Sequence, residues 1–134
     1  MRNWKTRAAT AITGFSLVTG GMLATAPAAE AVGGCASGYL CIYDGSSFTG
    51  EKIVSASTNS CFTMKNFVDF DWIASYVNNL PVTATVWTAS NELPYGMSKA
   101  RTLPAGGFSS KIGISGLGSD YYDQVCMGNA KPWG

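Results

Sequence analysis

The residues considered first for catalysis or metal binding are four cysteines and eight carboxylates. The chain contains no histidine. Without histidine, no Ser-His-Asp or Cys-His catalytic set and no imidazole-dependent zinc site can form. Asp69 and Asp71 could in principle act as general acid and base in glycoside hydrolysis. However, side chains two positions apart on a strand lie on the same face, so they would not flank the bond to be cleaved. No Ser-Lys or other nucleophile motif is visible. The sequence therefore predicts a protein that is not an enzyme.

The charge of the chain excludes nucleic acid as a partner. Only 13% of the residues are charged and the formal net charge is +1, whereas an average soluble domain has about 25% charged residues. So small a charge produces no field that would gather phosphates or acidic lipids. We therefore expect no nucleic-acid partner, and no membrane partner once the leader described next is removed.

The first thirty or so residues have the composition of a secretory signal peptide. Three basic residues open the chain, residues 8–26 are mostly apolar, and Ala29 and Ala31 place small residues two apart, as signal peptidase requires. A membrane anchor is the alternative, but threonines and glycines interrupt the apolar run, and a spanning helix needs about 20 predominantly apolar residues. The sequence predicts a signal peptide at residues 1–31 and one secreted, extracellular domain at residues 32–134.

All four cysteines lie in the predicted secreted domain: Cys35, Cys41, Cys61 and Cys126. In an oxidising compartment two disulfides are expected, and four cysteines permit three pairings. The Cys-x5-Cys spacing favours a small local loop closed by Cys35 and Cys41, which leaves Cys61 and Cys126 as a long-range pair. Metal ligation by these thiols is the competing interpretation, but the chain has no Cys-x2-Cys pair.

Short segments rich in β-branched and aromatic residues alternate with turns of Gly, Pro, Asn and Ser. These segments are residues 39–43, 52–56, 73–78, 82–88, 111–114 and 122–127. No amphipathic helical window of useful length separates them. The pattern predicts an antiparallel sandwich of about eight strands.

One local pattern is more specific. Tyr43, Phe48 and Gly50 form a Tyr-x4-Phe-x-Gly run, in which a turn would bring Phe48 back over Tyr43 and Gly50 would adopt a conformation that a Cβ resists. The run resembles the signature of the βγ-crystallin fold, whose hairpins are followed by an acidic stretch that ends in serine. Asp71 and Ser75 stand in that place. The resemblance implies an all-β, βγ-crystallin-like sandwich of two Greek-key motifs, tied by the disulfides.

The same resemblance raises the question of calcium, since residues 119–124 look like a fainter second acidic stretch. In calcium-binding relatives, the first and fifth positions of each stretch supply side-chain ligands. The first stretch has Phe70 and Ala74 there, and neither can ligate. The second has Ser119 and Asp123, weak candidates for one metal site, unless its aspartates serve turns through local hydrogen bonds. We therefore predict weak or no calcium binding and no cofactor.

A narrower resemblance rests on Cys-Ala-Ser-Gly-Tyr-Leu-Cys-Ile-Tyr, from Cys35 to Tyr43, with Val-Asn-Asn at residues 77–79. Secreted actinobacterial proteins of the Streptomyces-type metalloproteinase inhibitor family begin their mature domains with a similar Cys-Pro-x-Gly-x-x-Cys-x-Tyr run. Ala36 replaces the usual proline here. The resemblance implies a peptidase inhibitor that inserts a rigid loop into the active site of an extracellular protease, with a metalloprotease as the expected target. We expect the protein to be a monomer.

The archetypal inhibitor of that family carries its reactive bond on a second small disulfide loop, which this chain lacks. Two segments are candidates instead: residues 91–97 with Leu93, and residues 106–108 with Phe108. Both side chains suit the apolar primary pocket of a thermolysin-like enzyme, and ordinary loop residues are the alternative interpretation. Two other functions stay open, a secreted structural or stress protein with or without calcium, and a killer-toxin-like antimicrobial protein.

Overall fold

Two four-stranded antiparallel sheets make up the described part of the protein, which a computed structural model gives for residues 31–90 and 96–133. Leu93 and the predicted signal peptide up to residue 30 lie outside the described residues. In chain order the strands are β1 (Leu40–Gly45), β2 (Thr49–Ser55), β3 (Cys61–Thr63), β4 (Ser75–Asn78), β5 (Ala84–Ala89), β6 (Met97–Leu103), β7 (Phe108–Ser109) and β8 (Gln124–Met127). The described residues also form two single 3₁₀ turns, Val32–Gly34 and Met64–Asn66.

The two halves of the chain exchange their third strands. The first sheet has the order β2-β1-β4-β7, and the second has the order β3-β8-β5-β6. In each half the fourth strand returns to lie beside the first, as in a Greek key, while the third strand joins the sheet of the other half. The two sheets are therefore interlocked, and neither half could keep its own sheet complete without the other.

Five of the six predicted strand segments overlap strands of the structure, and the predicted all-β, disulfide-tied sandwich is confirmed. The prediction of a strand at residues 111–114 is wrong. Ile112 instead donates its N–H to the Ala74 carbonyl at 2.8 Å and is buried in the core, and Gly113 leaves the extended conformation with a φ of 78°. The sequence also misses β3 and β7, which are too short for alternation to show, and β6, a polar strand at a sheet edge.

The core lies between the sheets and is built by alternation along the strands. Leu40 and Ile42 of β1 are almost fully buried, and they belong to the same apolar cluster as Val86 and Val125 of the second sheet. Alternate residues of a strand point to opposite faces, so Leu40 and Ile42 share the inner face of β1. Full burial of each such side chain stabilises the fold by about 1.5–3 kcal/mol.

The outer face of β1 is buried as well. Cys41 and Tyr43 form a second, smaller cluster with Cys35 and Val77, and the segment that precedes β1 packs on it. The Tyr43 hydroxyl donates a hydrogen bond of 2.8 Å to the Gly33 carbonyl. Burial raises the pKa of Tyr43 above its usual value of 10.0, so the phenol keeps this donor proton at neutral pH.

Two disulfides tie the sandwich, and they join the pairs that the spacing favours. Cys35–Cys41 holds the N-terminal segment over β1. Cys61–Cys126 joins β3 to β8, where the two residues lie opposite each other in the ladder. Because β3 comes from the first half of the chain and β8 from the second, this bridge links the halves covalently. Non-reducing peptide mapping checks the pairing directly.

The long-range bridge should contribute more to stability than the local one. Replacing Cys61 and Cys126 by alanine removes a closure over a separation of 65 residues, and the loop-entropy relation gives a loss of about 4 kcal/mol. The same change at Cys35 and Cys41, separated by 6 residues, should cost about 2 kcal/mol. Urea denaturation of the two double variants measures both losses, and the reverse order would contradict this account.

Candidate functional site

The hairpin between β1 and β2 folds back onto its own sheet. Phe48 has a φ of 61°, which is uncommon for a bulky residue, and its ring meets Tyr43 edge to face at 5.7 Å. Ser75, the first residue of β4, holds this turn: its Oγ accepts from the Phe48 N–H at 3.0 Å and donates to the Gly45 carbonyl at 2.6 Å. This is the arrangement that the Tyr-x4-Phe-x-Gly run favours.

The other two residues of the predicted motif, Gly50 and Asp71, have different surroundings. Gly50 has a φ of 80°, and a Cβ there would collide with the Asp44 carboxylate, which accepts a hydrogen bond of 2.8 Å from the Glu51 N–H. Gly50 therefore leaves room for that bond. Asp71 is exposed in the segment before β4, so the bonds that hold the hairpin come from Ser75.

The hairpin between β5 and β6 is held by a buried carboxylate, that of Asp123. Asp123 is 2% exposed and directly precedes β8. Its Oδ1 accepts hydrogen bonds from the Thr88 hydroxyl at 3.0 Å and from the Ala89 N–H at 2.9 Å, while Oδ2 accepts from the Asp120 N–H at 3.2 Å. Ala89 is the last residue of β5. Asp123 thus fixes the end of the strand that leads into the candidate loop.

The base of that candidate loop is closed by backbone hydrogen bonds. Ala89 is paired with Met97 at the end of the β5–β6 ladder, and the Ser90 N–H donates to the Gly96 carbonyl at 2.8 Å. Leu93 belongs to the segment between Ser90 and Gly96 and lies outside the described residues. The structure therefore shows both ends of the candidate loop held in a regular ladder.

Phe108 does not lie in a loop, contrary to the sequence-based prediction. It begins β7, where it is paired with Val77, and its ring contacts Phe48 at a centroid distance of 6.5 Å, although 58% of it stays exposed. The chain reaches Phe108 from the Leu103 end of β6, whereas the candidate loop meets the Met97 end. A seven-residue strand spans roughly 20 Å, so the two candidate segments do not form one site.

The weak metal candidates do not come together as a metal site. Calcium takes six to eight oxygen ligands, but both oxygens of Asp123 already accept hydrogen bonds from the protein. Ser119 is exposed in a turn closed by its N–H on the Gly116 carbonyl. Within residues 31–90 and 96–133, no group of three His, Cys, Asp or Glu side chains could hold a metal ion.

Several aromatic side chains lie on the surface. Trp72 is 40% exposed and lines an open cleft of about 400 Å³ together with Asp44 and Lys111. Tyr121, Tyr122 and Trp133 are exposed near Asp123 and the C-terminus. The sequence misses these exposures, and the role of Asp123, because loop segments have no periodicity that marks an inner and an outer face.

In the part of the chain that the structure describes, no helix has the length and apolar character needed to span a membrane.

Comparison with known proteins identifies the family. The model of peptidase inhibitor family I36 matches residues 28–95, about half of the chain. No curated protein matches the sequence, and no solved structure matches it. The matched region contains the run from Cys35 to Tyr43 on which the resemblance to Streptomyces-type inhibitors rests. Since the family consists of inhibitors, the prediction that the chain is not an enzyme is confirmed, and the protein belongs to peptidase inhibitor family I36.

Proposed function

We propose that this protein inhibits an extracellular metallopeptidase by inserting the loop between β5 and β6, residues 90–96, into the active-site cleft. Membership of a peptidase inhibitor family supports the inhibitory role. The structural observation that carries the proposal is the buried Asp123 carboxylate, which fixes the end of β5. The metallopeptidase class is supported by the resemblance of the Cys35 to Tyr43 run to Streptomyces-type inhibitors.

A loop binds in a cleft with high affinity only if its backbone and side chains lose little conformational entropy on binding. Immobilising each rotamer-rich side chain at an interface costs about 0.5–1.5 kcal/mol. Asp123 bonds both the side chain of Thr88 and the backbone of Ala89, and β5 is paired on its two sides with β8 and β6. The strand that enters the loop is therefore ordered before any partner arrives.

The disulfide between β3 and β8 extends this support. β8 lies between β3 and β5, so the covalent bond of Cys126 to Cys61 holds the strand that in turn holds β5. The small reactive disulfide loop of the archetypal inhibitor is absent from this chain. In this proposal, the hydrogen-bonded base of the β5–β6 loop replaces that disulfide loop. Asp123 and the disulfide on β8, the strand next to β5, reinforce this base.

Between the two candidate segments, the loop that contains Leu93 is better supported than the segment that contains Phe108. The Phe108 ring packs on Phe48, and its backbone is paired with Val77, so insertion into a cleft would separate existing contacts. The family match ends at residue 95 and thus includes Leu93 but excludes Phe108. Leu93 supplies the apolar side chain that a thermolysin-type primary pocket accepts.

We also propose that the sandwich is βγ-crystallin-like. The exchange of third strands between the two halves supports this assignment. Each half has a buried polar residue that bonds its hairpin: Ser75, the first residue of β4, and Asp123, directly before β8. The two halves therefore repeat one arrangement, and the second half departs from the first at the hairpin proposed to bind the peptidase.

Leu93→Ala should raise the inhibition constant for a thermolysin-type metallopeptidase by about 30-fold, the equivalent of ~2 kcal/mol, because it removes the side chain proposed to fill the primary pocket. Phe108→Ala should change that constant by less than about 3-fold, although loss of its contact with Phe48 lowers the free energy of unfolding. Lys131→Ala, at an exposed position near the C-terminus, should leave inhibition unchanged. Competitive inhibition assays, with urea denaturation of each variant, measure these effects.

If Phe108→Ala weakened inhibition and Leu93→Ala did not, the contact with the peptidase would lie at the other end of β6, near Phe108. Failure of the wild-type protein to inhibit any metallo-, serine or cysteine peptidase at micromolar concentration would remove the proposed function. The structural or toxin function would then replace it.

Asp123→Ala should make the protein a better substrate of the peptidase that it inhibits, with cleavage at least about 10-fold faster, because the end of β5 loses its two bonds. Asp123→Asn keeps an oxygen that can accept a hydrogen bond from the Ala89 N–H, so this variant should resist cleavage and inhibit nearly as well as the wild type. Ser75→Ala is the matched control, because it removes the corresponding bonds of the other hairpin. Both alanine variants should lose about 1–3 kcal/mol of stability, but equal cleavage rates for the two would contradict a special role of Asp123.

We propose that the protein is secreted after cleavage behind Ala31, as the signal-peptide pattern predicts. Mass spectrometry of culture supernatant should show a chain that begins at Val32 and contains two disulfides. Recovery of a chain that begins at Met1 in the membrane fraction would contradict the proposal.

A further inference from the structure

Three exposed aromatic side chains, Tyr121, Tyr122 and Trp133, form a cluster that we name the aromatic patch. Their exposed fractions are 58%, 46% and 54%. The rings of Tyr121 and Tyr122 contact edge to face at 4.9 Å, and those of Tyr122 and Trp133 at 6.0 Å. Large aromatic rings that stay exposed and packed on one another are typical of protein interfaces, where Tyr and Trp are enriched.

The aromatic patch lies beside the base of the β5–β6 loop. Tyr122 directly precedes Asp123, whose Oδ1 bonds the N–H of Ala89 at 2.9 Å. Consecutive Cα atoms are about 3.8 Å apart, so the backbone of Tyr121 and Tyr122 begins within two residues of the atoms that fix the end of β5. A partner that received the loop in a cleft would bring the rim of that cleft toward this position.

The turn that carries Tyr121 and Tyr122 is ordered before binding. The Tyr122 N–H donates to Asp120 Oδ1 at 2.9 Å, and the Asp123 N–H donates to the Asp120 carbonyl at 3.0 Å. These bonds fix the turn that carries the two tyrosines, and the edge-to-face contacts restrict their rings. Tyrosine and tryptophan have only two side-chain torsions each, so they supply contact area at low entropic cost.

We infer that the aromatic patch is a second contact with the same peptidase, placed at the rim of the cleft that receives the β5–β6 loop; this inference rests on the proposed function. The phenol hydroxyls and the indole N–H can donate to carbonyl groups of the partner while the ring faces bury apolar surface. Asp123 then has two tasks, because one carboxylate fixes both the loop base and the turn that carries Tyr122. The base of the loop and the turn that carries Tyr122 are thus held by the same side chain.

A saccharide is the competing ligand for exposed aromatic rings. A sugar stacks on the flat face of a ring, and an extended saccharide platform needs several rings with parallel faces. The interplanar angles within the aromatic patch are both 84°, so neighbouring rings stand perpendicular to each other. The geometry favours an irregular protein surface over a carbohydrate chain.

The test compares the aromatic patch with exposed aromatic residues elsewhere on the same protein. Tyr121→Ser combined with Tyr122→Ser, and separately Trp133→Ala, should each raise the inhibition constant about 10-fold or more for the peptidase that the wild-type protein blocks. Tyr39→Ser and Trp72→Ala are the matched controls, since each removes a ring that is 40% exposed, and both should stay within about 2-fold of the wild type. Thermal melts of all variants establish that the folded fraction is the same.

The outcomes separate this inference from the proposed function. If Leu93→Ala weakens inhibition and the patch variants do not, the aromatic patch is no contact, and the loop proposal stands. If Trp72→Ala weakens inhibition as much as Trp133→Ala, the effect is not specific to the patch and the inference is wrong. Binding to an oligosaccharide array that is lost in the Tyr121/Tyr122 variant, with unchanged inhibition, would also overturn it. If the wild-type protein inhibits no peptidase, both proposals fail together.

Discussion

A single buried polar side chain, at or directly before the fourth strand of each half, holds the hairpin of that half. Ser75 does this for the β1–β2 hairpin and Asp123 for the β5–β6 hairpin, and the two residues are 0% and 2% exposed. A donor or acceptor that loses its partner away from water costs about 1–3 kcal/mol, so these bonds strongly favour one position of the groups that they join. The placement of the β1–β2 turn and of the end of β5 depends on these few bonds.

The two halves use this common constraint differently. Ser75 bonds residues within the turn itself, and the turn folds over the sheet until Phe48 reaches Tyr43. Asp123 bonds the last residues of β5, Thr88 and Ala89, and the base of the loop that follows is closed by the ladder and by the bond from the Ser90 N–H to the Gly96 carbonyl. One half therefore uses its hairpin to cover the protein's own surface, and the other presents the ends of a loop that can be offered to a partner.

The sequence predicts those parts of the structure that local chemistry determines. The fold class and the folded β1–β2 turn follow from short alternating segments and from the spacing of Tyr43, Phe48 and Gly50. Residues 111–114 are misread because two isoleucines in a loop have the same composition as a strand, and Ile112 fills the core from irregular backbone.

The candidate site is harder to predict than the fold because its geometry depends on distant residues. In the sequence, Asp123 is a possible metal ligand in an acidic stretch, whereas in the structure its Oδ1 accepts hydrogen bonds from two residues more than thirty positions away. Phe108 follows two glycines and has the sequence environment of a loop residue, yet pairing with Val77 makes it part of a sheet. No local pattern contains that information, since both outcomes depend on which strands become neighbours.

The unequal support of β5 and β6 bears on what a peptidase could do to the loop. β5 is paired on both sides and bonded by Asp123, whereas β6 is an edge strand of the same sheet and has β5 as its neighbour there. If the peptidase cut a bond between Ser90 and Gly96, the new C-terminal end would stay attached to the better-supported strand. The new N-terminal end would be held by the ladder from Met97 to Leu103, which ends in the fully buried Leu103. In the proposed mechanism, both ends would then remain close enough for the cut chain to stay in the cleft, and a rigid base would block the peptidase whether or not the bond is cut.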